Sequence, residues 1–175
     1  MKRGALTTLV LVFFAVPFVT TAPQVAFAQS NLLVGTWKLN LEKSKYRPGP
    51  PPRSLTRTTE AFGQSYRTTF EGIDAQGNPV KLVFGPYSYN GKPYPVTGTP
   101  DGDAASYKEI NNTTTAATLT KEGKNMQTIA EVLSADGKTH TLMNTGVSAN
   151  GQQFTNVSVY DKQVSLLNRP PGRRP

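Results

Sequence analysis

Turn signals recur along much of this chain at intervals of roughly ten residues, and no other feature restricts the fold as much. They run as Asp74–Pro79, Asn90-Gly91, Pro100–Asp103, Glu122-Gly123, Asp136-Gly137 and Asn150-Gly151. Asn-Gly and Asp-Gly favour positive φ at successive residues, as tight hairpin turns require. The runs between them are rich in Thr, Val, Tyr and Phe. Thr fills 18 of the 147 positions after Ala28, and its branched β-carbon stiffens the chain toward extended structure. No window repeats apolar residues at i, i+3, i+4 and i+7 over three turns, so amphipathic helices are not expected.

The chain is therefore read as all-β, with strands over Val34–Asn40, Ser54–Phe62, Ser65–Ile73, Pro79–Gly85, Tyr87–Val96, Ala104–Ile110, Thr113–Lys121, Asn125–Ser134, Lys138–Ser148 and Gln152–Lys162. Ten antiparallel strands linked mainly by hairpins form an up-and-down meander. Such a sheet is expected to close, or nearly close, into a barrel, because closure removes both unpaired edges. A transmembrane barrel would need an outward apolar band with aromatic girdles. The assignable outward positions carry Lys, Arg, Glu and Thr instead, which argues against it.

Alternation marks the inward face in places. Tyr66, Thr68 and Phe70 share one face; Val80, Leu82 and Phe84 share another; Phe154, Asn156, Ser158 and Tyr160 share a third. In the ninth run the pattern is ambiguous, since Ile129, Glu131 and Leu133 compete with Met126, Thr128, Ala130 and Val132. After Ala28 only 37 residues are Ile, Leu, Val, Met, Phe, Tyr or Trp. That is a thin complement for a dry core, and a barrel with a partly wet interior tolerates it.

The N-terminus reads as a leader. Lys2 and Arg3 precede the uncharged run Ala5–Val16, Pro17 and Pro23 break it, and Ala26-Phe27-Ala28 has the small-x-small form of a signal-peptidase site. Three segments follow: a signal peptide over 1–28, a barrel domain over 29–164, and a basic, proline-rich, disordered tail over 165–175. An exported, periplasmic or secreted protein is expected, with no membrane span after cleavage, because the apolar run is shorter than the ~20 residues a spanning helix needs. Cleavage leaves 17 Lys and Arg against 11 Asp and Glu, a formal +6. Export and the scatter of these charges argue against nucleic acid and leave anionic envelope polymers as possible partners.

Val34–Leu39, with its Gly35-x-Trp37 core, resembles the opening strand of intracellular fatty-acid-binding proteins and of lipocalins. Val159–Lys162 is similar to the closing strand of the former. The resemblance implies a calycin-like barrel. In it Gly35 and Trp37 plug the closed end, and Lys162 places its cation over the Trp37 ring. Two departures stand out. Ser158 occupies the position where fatty-acid-binding proteins carry an Arg that grips a carboxylate together with the closing-strand Tyr, here Tyr160. The segment Leu41–Arg53, with four prolines and a glycine over Pro48–Pro52, is read as an extended polyproline connection in place of lid helices.

Catalytic and metal chemistry find little support. The chain has no Cys and a single imidazole, His140, which excludes thiol nucleophiles and multi-histidine sites. No nucleophile elbow, phosphate loop or dinucleotide fingerprint is present, and His140 is read as a partly exposed strand residue. Asp101 and Asp103 lack the further ligands of a calcium loop. Glu60, Glu71, Glu109 and Glu131 fall on different strands, so a carboxylate pair is invisible in sequence.

A non-catalytic protein without cofactor or metal is expected. Its barrel would bind a small apolar or lipid-like molecule among Tyr66, Thr68, Phe70, Phe84, Phe154, Asn156, Ser158 and Tyr160. An interaction module binding an anionic envelope polymer, or a protein, through its basic outer surface is the alternative.

Overall fold

The computed structural model describes residues 32–164. The expected leader and tail lie outside the described residues. All eleven elements are strands: β1 (Gly35–Leu39), β2 (Lys45–Arg47), β3 (Ser54–Phe62), β4 (Ser65–Ile73), β5 (Pro79–Tyr87), β6 (Asn90–Thr97), β7 (Ala104–Asn111), β8 (Thr114–Lys121), β9 (Lys124–Leu133), β10 (Thr139–Val147) and β11 (Gln153–Lys162). From β3 to β11 each strand pairs antiparallel with the next. The ring closes because β1 pairs with β3 on one side and with β11 on the other, Trp37 opposite Lys162 and Leu39 opposite Tyr160. The result is a closed ten-stranded up-and-down barrel, consistent with a calycin-like fold, with β2 as an extra strand.

β2 corrects the reading of Leu41–Arg53 as a plain polyproline connection. β1 covers the C-terminal half of β11's edge, the chain bulges at residues 40–44, and β2 resumes pairing on the same edge, with Tyr46 opposite Asn156. Ser44 bridges the bulge: its Oγ donates to the Asn40 carbonyl at 2.6 Å and accepts from the Val159 N–H at 2.9 Å. A second correction concerns Tyr87, which ends β5 rather than opening the next strand.

Burial alternates with period two wherever the strands are regular, as in β8, where Thr115, Ala117 and Leu119 point in. In β9 the inward set is Gln127, Ile129, Glu131 and Leu133.

One end of the barrel is filled. Trp37 is fully buried there and donates its indole N–H to the Leu33 carbonyl at 3.0 Å. Lys162 Nζ stands 4.9 Å from the Trp37 ring centroid and donates to the Leu32 carbonyl at 2.6 Å.

Two glycines permit close strand approach toward the other end. A Cβ at Gly72 would lie 2.1 Å from the Ser54 carbonyl oxygen, and one at Gly146 would lie 2.1 Å from that of Met126. Both obstacles are backbone, so neither can swing aside, and glycine is required for the sheet to bend there. Gly72→Ala is expected to lower stability by about 1–3 kcal/mol, the usual cost of forced overpacking. Urea unfolding measures it, with the exposed Thr128→Ala as the control that leaves the midpoint nearly unchanged.

Candidate functional site

The upper part of the barrel encloses a cavity of about 330 Å³. Its walls come from the inward positions of most strands, and register explains their height. Phe70 lies opposite Leu82, Asn144 opposite Asn156, and Leu142 opposite Ser158, all above the level of Trp37 and Lys162. Pro52, Thr99, Asp101 and Ser148 border it at the rim. Asp101 Oδ1 accepts the Ala149 N–H at 2.7 Å, which ties the β6–β7 loop to the β10–β11 turn there.

Of the eight residues expected at a ligand site, Thr68, Phe70, Phe84, Phe154, Asn156, Ser158 and Tyr160 line this cavity. Tyr66 does not. It packs toward the filled end, with ring centroids 6.1 Å from Tyr87 and 5.8 Å from Tyr89. Phe70 sits edge-on to both Phe84 and Tyr160. Tyr46 reaches in from β2, within hydrogen-bonding distance of Ser158 Oγ at 2.8 Å. Deeper in, Tyr87 and Tyr107 stack at 3.9 Å, and a hydroxyl chain links the Tyr87 OH to Thr68 at 3.0 Å and Thr68 to Thr59 at 3.1 Å.

The floor holds a polar cluster that sequence reasoning missed. Arg57 on β3, Glu131 on β9 and His140 on β10 are 1%, 7% and 1% exposed. The partly exposed position read for His140 is thus corrected: it lies inside, opposite Leu133 and Tyr160 and 5.6 Å from the Trp37 ring.

Arg57 Nη2 donates to Glu131 Oε2 at 3.2 Å, His140 Nε2 lies 3.3 Å from the same oxygen, and Arg57 Nη1 faces His140 Nδ1. Guanidinium nitrogens only donate, so Nδ1 is the acceptor and the imidazole proton sits on Nε2, directed at Glu131. The one basic nitrogen of His140 is therefore occupied by Arg57. Of the other sequence-noted carboxylates, Glu71 pairs with Lys81 on the outer surface.

Charge states follow from burial and from these partners. Burial raises the Glu131 carboxyl, but the Arg57 guanidinium and the His140 hydrogen bond outweigh it and hold its pKa at about 2. Burial lowers His140, and the Arg57 charge lowers it further, to about 4. Burial likewise opposes the Arg57 charge, and Glu131 together with the surrounding tyrosines Tyr87, Tyr89 and Tyr160 more than restores it. At neutral pH the cluster is thus one cation, one anion and a neutral imidazole. Among the described residues no group of three or more His, Cys, Asp or Glu could hold a metal ion.

These pKa values fix a pH dependence. Glu131 titrates at about 2 when folded against 4.5 ordinarily, and His140 at about 4 against 6.5. In both intervals the unfolded chain binds more protons than the folded one, so acid favours unfolding. His140 withdraws stability as pH falls from 6.5 to 4, and Glu131 as it falls from 4.5 to 2. A tenfold change in proton affinity is worth about 1.4 kcal/mol, so a loss of several kcal/mol is expected across the two intervals. Urea midpoints between pH 7 and pH 4 should drop, and His140→Gln should flatten the curve in that range.

No known protein family matches this chain, and no curated protein matches it either.

Proposed function

We propose that this chain is an exported, non-catalytic binding protein that holds a small, largely apolar molecule inside its barrel. The observation that carries this reading is the cavity of about 330 Å³, walled by Leu55, Phe70, Leu82, Phe84, Leu119 and Phe154 among a limited set of polar groups. Ligand sites have this form and size: concave, mostly apolar, with a few placed hydrogen-bonding groups. The filled end, by contrast, is packed around Trp37, Leu33 and Leu133. The occupied base of His140 favours binding over catalysis. The similarity of Gly35-x-Trp37 and Val159–Lys162 to lipocalins and fatty-acid-binding proteins points the same way, as does the leader-like N-terminus toward an extracytoplasmic site of action.

Native mass spectrometry on protein recovered gently from its export route is expected to show a reproducible small-molecule adduct. The adduct should persist after exchange through 1 M salt, in which the Debye length is ~3 Å and surface attraction is screened. Leu82→Trp, which projects an indole into the cavity, should weaken re-binding of the extracted molecule about tenfold or more, equivalent to ~1.4 kcal/mol, while circular dichroism stays unchanged. An adduct that salt removes and Leu82→Trp leaves alone would assign binding to the basic outer surface.

A further inference from the structure

The cavity has unlike walls. Around the ring of ten strands, β4 stands five strands from β9 in either direction, and β5 stands five from β10, so these pairs face each other. The β3–β5 side presents Leu55, Phe70, Leu82 and Phe84. Every carboxamide that lines the cavity comes from the other side, interspersed with Ile129, Leu142 and Phe154: Gln127 on β9, Asn144 on β10 and Asn156 on β11, with the Ser158 hydroxyl below them. Asn144 and Asn156 are direct cross-strand partners. Asn156 Oδ1 accepts the Arg47 N–H at 3.1 Å, whereas Asn144 Oδ1 is buried with no hydrogen-bond partner in the protein. Buried acceptors are seldom left so.

The charges are arranged just as unevenly. Three charged side chains line the cavity: Arg57, Glu131 and, at the rim, Asp101. The single cation is bound to Glu131 at 3.2 Å and turned to His140 as well, so its charge is compensated, although its Nε–H is buried without a hydrogen-bond partner in the protein. An entering carboxylate would lose its water and meet Glu131 at the floor and Asp101 at the rim. The one donor left open at the floor, Arg57 Nε–H, is available equally to a neutral acceptor, and with Glu131 already neutralising that guanidinium it does not repay the desolvation of a full charge. An entering cation would meet Arg57 at the same depth.

We infer that the cavity selects an uncharged molecule, with an apolar face set against Phe70, Leu82 and Phe84 and a hydrogen-bonding edge that includes a donor to Asn144. Neutral amides and alcohols fit that description; free fatty acids and other carboxylates are rejected. This inference rests on the cavity being the binding site.

Equilibrium dialysis at pH 7 against two probe series tests it: decanamide, decanoate and decane; 2-naphthamide, 2-naphthoate and naphthalene. In each series the amide is expected to bind at least tenfold tighter than its carboxylate. Asn144→Leu should reduce the amide to the affinity of its hydrocarbon parent without weakening that parent. Glu131→Gln, which leaves Arg57 uncompensated, should raise carboxylate affinity at least tenfold. A carboxylate that matches or exceeds its amide on the unaltered protein overturns the inference, whatever the variants do, and leaves the cavity reading standing. Failure of all six probes to bind overturns the cavity reading and this inference with it.

Discussion

Arg57 enters the barrel carrying a full charge and is almost cut off from solvent, and the interior is arranged around that fact. A lone buried guanidinium is not tolerable; it must find an anion and spend its N–H groups on acceptors. Glu131 supplies the anion and His140 a second acceptor, which forces the imidazole to remain neutral and to hand its own proton to Glu131. The guanidinium carbon also lies 5.7 Å from the Phe70 ring centroid, so the charge is shared with the aromatic wall above it. Removing Arg57 or Glu131 leaves the other's charge stranded, at a typical cost of about 3–5 kcal/mol. The three strands that carry it are thereby pinned to one another across the barrel floor.

The cluster also accounts for where the interior changes character. Below it, Trp37, Leu33 and Leu133 pack as an ordinary core. Above it, the amides of Gln127, Asn144 and Asn156 stand among aliphatic and aromatic side chains, and the space is not filled. A chain with so few large apolar residues cannot pack ten strands' worth of interior solidly, and it packs one end instead. Closure at β11 is economical in the same way, since β1 and β2 divide a single edge and the gap between them is bridged by the Ser44 hydroxyl and by the Asn40 N–H on the Val159 carbonyl.

Much of this architecture is legible in local sequence. Asn90-Gly91 opens β6 instead of turning, whereas Asp136-Gly137 and Asn150-Gly151 do turn, with positive φ at the glycine and not at the residue before it; Tyr66–Phe70 alternates cleanly, while in Phe154–Tyr160 the outward-facing Val159 is buried as well. The floor is not legible that way. Arg57 lies 74 residues from Glu131 and 83 from His140, so nothing near any one of them announces the pairing. A charged residue in a strand reads as outward unless its partner is known. In β9 the two faces carry nearly balanced apolar sets, and only the inward pull on Glu131 from Arg57 decides between them. β2 escaped because proline chemistry dominates Leu41–Arg53, while three residues ahead of Pro48 suffice to pair with β11.

The Lys162 hydrogen bond to Leu32 has a consequence for how the chain runs through the barrel. The first and last described stretches of the chain meet at the filled end, where Gln163 also donates to the Thr36 carbonyl at 2.8 Å. The rim bordered by Pro52, Asp101 and Ser148 is at the opposite pole. The described chain thus enters and leaves the barrel at its base, so the ten strands are strung between a pole where both chain ends are anchored and a rim that neither end approaches.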